Sequence, residues 1–191
     1  TITAYNDADL AHVYATAGDH TISISGTFPN MYMNNGPEKL KLKKVLNLGA
    51  VGWTNFLSAF YGCTNLTEFT VGSTDTSSVV NMQQMFTSCA ALTSADISSL
   101  STVSVTNMLN MFFGCTTLTS IDVSSFDTSS VNTMRQVFLQ CNALTSIVGV
   151  EDWDITGLNG VGNLTGFITV GKMTTAQYDN LLINWRAQDP F

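Results

Sequence analysis

Between residues 53 and 150 the apolar side chains fall into columns spaced 26 residues apart. Phe60, Phe86, Phe112 and Phe138 form one column and Leu66, Leu92, Leu118 and Leu144 a second, while Cys63, Cys89, Cys115 and Cys141 form a third. Phe56, Met82, Met108 and Met134, and Trp53, Val79, Val105 and Val131, repeat with the same period. A fixed period of this length marks a stacked-repeat architecture, in which each unit buries its apolar face only against its neighbours.

Each unit carries two shorter periods. After the cysteine comes Leu-x-x-apolar-x-apolar, as in Leu66/Phe69/Val71, Leu92/Ala95/Ile97 and Leu118/Ile121/Val123. The alternation of the last two members predicts a half-buried strand. Before the next cysteine, Val79, Met82, Met85, Phe86 and Cys89 recur at steps of three and four, which predicts a short helix with Thr76, Ser77 and Ser78 as N-cap candidates. Gly62 and Gly114 stand where a left-handed residue closes that helix, and Ser88 and Gln140 fill the same column at greater steric cost.

The ends read differently from the middle. Residues 1–39 hold Pro29, Pro37, both histidines and the alternating stretch His20-Thr-Ile-Ser-Ile-Ser, so an N-terminal cap is expected, with a helix near Asp7 to Thr16 and then a strand. The repeat array is assigned to residues 40–170, free of proline beyond Pro37, since proline would remove ladder donors. Residues 171–191 are assigned to a C-terminal capping helix: Tyr178, Leu181, Leu182 and Trp185 make an i, i+3, i+4, i+7 stripe, with Thr174 and Gln177 at capping-box spacing.

The units resemble the 26-residue leucine-rich repeats of the BspA-like surface-protein family, whose pattern is close to Leu-Thr-Ser-Leu-Asp-Leu-Ser-x-Phe-Asp-Thr-Ser-x-Val-x-x-Met-x-x-Met-Phe-x-x-Cys. Leu118-Thr-Ser-Ile-Asp-Val-Ser-Ser-Phe-Asp-Thr-Ser-Ser-Val-Asn-Thr-Met134, followed by Phe138 and Cys141, matches it closely. The resemblance covers residues 53–150, and more loosely the helix at 178–185. It implies an α/β fold: a right-handed leucine-rich-repeat solenoid with parallel strands on one face, short helices on the other, and a cap at each end. It also implies a place on bacterial surface proteins, in adhesion and host binding, or at the exterior of phage particles, and it brings no catalytic residues. The sequence departs from the pattern at Thr74 and Leu100, in the Phe126 column, and at Ser101, in the Asp127 column, where the rungs are expected to bend or loosen.

Composition narrows the function. The chain carries 7 basic and 14 acidic side chains, a formal charge of −7, and only 11% charged residues against 45% apolar ones. The apolar half suffices for a core, so low charge does not signal disorder. Its 26 Thr, 18 Ser and 16 Asn make the surface one of hydroxyls and amides. The negative balance argues against a nucleic-acid partner, and no apolar run approaches the roughly 20 residues of a membrane helix, so membrane insertion is not expected. Thr1 is preceded by no initiator Met and followed by no signal-like segment, so a processed or excised chain is expected. In residues 45–171 Arg135 is the only basic side chain, against Glu68, Asp75, Asp96, Asp122, Asp127, Glu151, Asp152 and Asp154. Lys39, Lys41, Lys43 and Lys44 cluster where the first strand begins, as a guard against edge pairing.

Catalytic chemistry finds few residues. The cysteines are one per repeat, without a Cys-x-x-Cys pair, and are expected as buried free thiols, with disulfide bridging, then metal or redox chemistry, as the alternatives. A serine nucleophile would need His12 or His20, both in the N-terminal cap, and no Gly-x-Ser-x-Gly elbow occurs. Glu68 with Asp96 or Asp122 is the one carboxylate pair to weigh for a glycosidase, but it lacks enclosing aromatics. No enzyme, no cofactor and no resident metal are expected, and mutual repulsion of Asp96 and Asp122 is assigned to relief by water ahead of Ca²⁺.

What remains is the strand face. Glu68, Thr70, Thr93, Ser94, Asp96, Thr119, Ser120, Asp122 and Thr145 point outward and form rows of hydroxyls with a short acidic seam. The expected function is non-enzymatic recognition: an adhesion or receptor-binding module for a cell-surface glycan or protein, extracellular, at a cell surface or on a virion, and part of a larger surface or tail-fibre protein. The alternative is a structural component of a virion or extracellular assembly that makes repeat-mediated contacts with copies of itself. A bland reading competes with both, because threonine and serine suit any strand exposed to water.

Overall fold

In the computed structural model, residues 18–23, 26–33, 37–158, 160–168 and 173–188 are described. The repeat contributes five short parallel strands, β1 (Lys44–Val45), β2 (Glu68–Thr70), β3 (Ser94–Asp96), β4 (Ser120–Asp122) and β5 (Ser146–Val148). They form two sheets, β1-β2-β3 and β4-β5. In the first sheet Lys44 is opposite Glu68, and Glu68 is opposite Ser94; in the second Ser120 is opposite Ser146. The middle residue of a strand points inward, as Phe69, Ile121 and Ile147 do, each no more than 3% exposed. The fold is therefore mixed α/β, with parallel strands and one α-helix, α1 (Thr175–Ala187), among the described residues.

The expected short helices opposite the strands do not form. From Phe56 to Cys63, and again at Met82–Cys89, Met108–Cys115 and Met134–Cys141, the chain runs through consecutive tight turns. In the Met82–Cys89 segment Met85, Thr87 and Cys89 donate their amides to the carbonyls of Met82, Gln84 and Phe86. The amides between them leave the segment altogether: Met82, Gln84, Phe86 and Ser88 donate to Asn107, Leu109, Met111 and Phe113 of the next repeat. A helix would keep these donors to itself, whereas here half of them bind successive repeats together. Steps of three place side chains on one side of a turn as well as of a helix, which is how the Met/Phe/Cys stripe arises without an α-helix.

Backbone dihedrals mark the same correction. The expected left-handed column is present at Gly62, Ser88, Gly114 and Gln140, with φ of 72°, 60°, 73° and 63°, but it closes turns rather than helices. A second left-handed column, Ser58, Gln84, Asn110 and Gln136, lies four residues earlier with φ between 51° and 59°. Non-glycine residues adopt this region at a cost of about 1–2 kcal/mol each, offset here by the ladder. Asn55, Asn81 and Asn107 start the turns by accepting from the amides of Leu57, Gln83 and Leu109 at 2.7, 2.8 and 2.9 Å.

The core lies between strands and turns, and its columns stack as the period predicts. Phe60, Phe86, Phe112 and Phe138 have ring centroids 5.5, 5.1 and 5.6 Å apart with nearly parallel planes. All four cysteines are buried free thiols. Cys89, Cys115 and Cys141 donate Sγ–H to the carbonyls of Phe60, Phe86 and Phe112 at 3.1, 3.2 and 3.0 Å. Burial pushes Cys63 up to about 11 and drives Cys89 and Cys115 further in the same direction, so these thiols are neutral and shielded. Leu100 is buried and Thr74 donates to the Gly49 carbonyl at 2.6 Å, so these two exceptions to the pattern are closed off from water, while Ser101 is partly exposed.

At the C-terminal end α1 starts with the expected capping box: Thr174 Oγ1 accepts from the Gln177 amide, and Gln177 Oε1 accepts from the Thr174 amide. Leu181 is buried and Trp185 packs edge-on against Phe167 at 5.1 Å. Tyr178 and Leu182, the other members of the expected stripe, are each 48% exposed. Gln188 ties the helix end to the array, accepting from the Ile155 amide at 2.7 Å and donating to the Trp153 carbonyl at 2.9 Å. At the N-terminal end the expected helix near Asp7 to Thr16, with His12, lies outside the described residues. Residues 20–23 are exposed and form no strand, and the rest of the expected stretch, residues 24 and 25, lies outside the described residues.

Candidate functional site

The strand face follows from the two-residue period. With the middle residue turned inward, each strand offers its first and third side chains to solvent. A shallow open depression of about 310 Å³ lies across β2, β3 and β4, lined by Glu68, Thr70, Thr93, Ser94, Asp96, Ser120 and Asp122 together with Phe69 and Ala95. Most of the residues singled out from the sequence thus converge on one place. Thr119 and Thr145 are exposed on the same face but do not line the depression.

The hydroxyl rows are not equally free to bind. Thr67, Thr93 and Thr145 donate Oγ1–H to the carbonyls of Lys43, Thr67 and Thr119 at 3.2, 3.1 and 3.2 Å. Their protons reinforce the ladder, leaving only acceptor capacity for a ligand. Ser94, Thr119 and Ser120 make no hydrogen bond through their hydroxyls among the described residues, so they keep both functions. Glu68 is engaged with Lys44 at 2.7 Å.

The carboxylates are organised by their own turns. Asp96 Oδ1 accepts from the Ser98 hydroxyl at 2.7 Å, and Asp122 Oδ1 accepts from the Ser124 hydroxyl at 2.6 Å and amide at 3.0 Å. Ser124's hydroxyl, then its amide, holds the Asp122 carboxyl below the usual carboxylate range. Each aspartate keeps Oδ2 turned away from these bonds. Among the described residues no group of three or more His, Cys, Asp or Glu side chains is gathered as a metal would need.

Ala95 is the residue that sequence reasoning passed over. It sits in the inward column of Val45, Phe69, Ile121 and Ile147, where its side chain is by far the smallest, and that size difference was the available signal. The Phe69 ring lies 5.2 Å from Phe60 and 4.7 Å from Phe86, so it fills from the preceding rung the space that Ala95 leaves. Ala95 itself stays partly exposed. The floor of the depression is thus one missing side chain in an otherwise filled column.

A family model described as "Mycoplasma protein of unknown function, DUF285" matches residues 54–170, more than half of the chain, and the chain belongs to this family. The matched span contains all four cysteine repeats and every residue of the depression. No curated protein and no solved structure matches the chain.

Proposed function

We propose that this chain is a right-handed leucine-rich-repeat solenoid of the BspA-like kind that acts as a non-enzymatic recognition module outside a cell or on a virion, binding a surface glycan or protein through its strand face. The observation that carries this reading is the convergence of Glu68, Thr70, Thr93, Ser94, Asp96, Ser120 and Asp122 on one open polar depression. Rows of short polar side chains on a parallel ladder suit many weak contacts to a repetitive surface rather than one deep pocket. The depression is shallow and polar, unlike the enclosed apolar sites typical of small-molecule chemistry. The turn side, with its stacked phenylalanines and thiols, supplies spacing.

The test is a binding screen of the purified chain on glycan arrays and intact bacterial cells, run beside Asp96→Ala/Asp122→Ala and a chelator control. Selective binding that the double variant loses supports recognition by the strand face. Binding that the variant retains removes this face from the reading.

One observation favours the structural alternative. Tyr178, Leu182 and Ile183 on the outer side of α1 are 48%, 48% and 64% exposed, an apolar group suited to contacts within an assembly. Concentration-dependent association abolished by Leu182→Ser/Ile183→Ser, with no binding in the screen, would decide for it.

A further inference from the structure

The parallel ladder that joins the strands is interrupted once. Between β2 and β3, Thr93 donates its amide to the Thr67 carbonyl and Val71 donates to the Asp96 carbonyl; between β4 and β5, Thr145 donates to Thr119 and Val123 to Val148. The same register between β3 and β4 would pair the Thr119 amide with the Thr93 carbonyl and the Ile97 amide with the Asp122 carbonyl. Neither bond forms, and β3 and β4 fall in different sheets. Ile97 is 1% exposed, and a buried residue whose amide lacks a partner is rare in a folded protein.

The interruption is held in shape on every side. Thr117 Oγ1 bridges to the carbonyls of Ala90 and Leu92 at 2.8 and 3.0 Å just before it, and Thr102 Oγ1 donates to the Asp127 carbonyl at 2.8 Å just beyond it. Behind it the turn-side bonds from Met82, Gln84, Phe86 and Ser88 are all in place. The result is a slit in the hydrogen bonding of the ladder beside Ala95, on the floor of the depression described above.

We propose that this slit is a binding site for a neutral, hydroxyl-rich ligand, a sugar residue of a glycan, whose hydroxyls take the place of the missing rung. The inference rests on the strand-face reading and narrows it to one locus and one chemical class. The slit offers donors, the Thr119 and Ile97 amides, next to acceptors, the Thr93 and Asp122 carbonyls and the free side of the Asp96 and Asp122 carboxylates. The uncommitted hydroxyls of Ser94, Thr119 and Ser120 act as both. A hydroxyl donates and accepts at once and so matches this mixture. A bare cation would leave the amides unmatched, and an anion would face Glu68, Asp96 and Asp122. An inserted peptide strand needs roughly 9.5 Å between its neighbours, two ladder spacings, whereas β3 and β4 have Cα atoms within 8 Å of one another.

The experiment probes the intact chain with an array of neutral oligosaccharides and their sialylated, sulfated and amino-sugar counterparts, then follows amide exchange at Thr119 and Ile97 with the best neutral sugar. The variants are Thr119→Val/Ser120→Ala at the slit and Thr67→Val on the sealed ladder, all exposed positions. The expected result is binding to a neutral sugar that slows exchange at Thr119 and Ile97 and weakens about tenfold or more in the slit variant only, the loss of one or two hydrogen bonds. Equal loss in both variants, or none in the slit variant, overturns the slit while leaving the strand face as a recognition surface. Preference for charged sugars or for protein ligands overturns the ligand class. Absence of binding to every probe, glycan or cell, overturns this inference and the strand-face reading together.

Discussion

The two sides of each repeat are built to different tolerances. On the turn side the repeats give the same answer: phenylalanines stacked on one another, the thiols of Cys89, Cys115 and Cys141 bonded to a carbonyl of the repeat before, and alternate amides donated to the repeat after. On the strand side the rungs are three residues long or fewer, the inward column runs from Phe69 to Ala95, and the ladder is broken once. Rigidity and variability are thus segregated across the core. A protein that holds one side invariant is free to alter the other without losing its repeat spacing, which is the arrangement a recognition surface needs.

The largest effect is expected where the comparison is broken from the turn side. Phe112→Ala removes a fully buried ring stacked between Phe86 and Phe138 and is expected to cost about 3–5 kcal/mol. Leu118→Ala, buried in the next column, is expected to cost about 2–5 kcal/mol. Urea denaturation of both variants checks this. Stability unchanged in either would show that the columns do not carry the fold.

Next comes a place where the strand side is as tightly constrained as the turn side. Gly149 follows β5 at φ 82°, and a Cβ there would collide with the backbone of Ser124. Left-handed strain alone costs about 1–3 kcal/mol, and backbone must shift as well, so Gly149→Ala is expected to cost about 2 kcal/mol or more by thermal denaturation. A neutral outcome would mean that β5 is free to move away from β4.

Those two expectations also show what was legible from the sequence. The columns, the buried thiols, the strand positions and the α1 capping box follow from period and residue type, because stacking forces identical environments onto residues 26 apart. The turns were misread as helices because Val79, Met82, Met85, Phe86 and Cys89 fit both conformations. The asparagines at 55, 81 and 107 and the polar column at Ser58, Gln84, Asn110 and Gln136 were the features that separate them. On the candidate site, alternation identified which side chains face water. It did not reveal that the Thr93 and Thr145 hydroxyls are bonded to backbone or that the ladder is interrupted beside Ala95, since both depend on contacts between repeats.

A moderate effect is expected at the interruption. Thr117→Val keeps the shape of the side chain but removes the bridge to the Ala90 and Leu92 carbonyls, at a cost of about 1 kcal/mol. Hydrogen exchange should then accelerate at the Leu118 amide, which is bonded to the Cys115 carbonyl beside the bridge, and remain unchanged at Thr145 on the sealed ladder. Equal acceleration at both would mean that the strand side opens as a whole and that the break is not a distinct joint.

The smallest effect concerns the exposed aspartates beyond the strands, and it sharpens the comparison by pH. Ser129 donates its hydroxyl at 2.6 Å and its amide at 3.0 Å to Asp127 Oδ1, and these bonds, hydroxyl first, hold the carboxyl below its ordinary value of 3.8. Because the folded value is the lower one, the contribution to stability is fully present above the ordinary value and is lost as pH falls through the folded value. Ser129→Ala should therefore raise the Asp127 titration midpoint toward 3.8, a shift that carbon-detected NMR can follow. It should lower the melting temperature slightly near pH 6, and the difference should shrink as pH falls through the folded value. The thiols of the turn side give a control: Cys89 and Cys115 are buried and neutral, so their labelling at mildly alkaline pH should track global unfolding in the parent chain and in Ser129→Ala alike. Labelling faster than unfolding would place those thiols within reach of solvent and erase the distinction between a closed turn side and an open strand side.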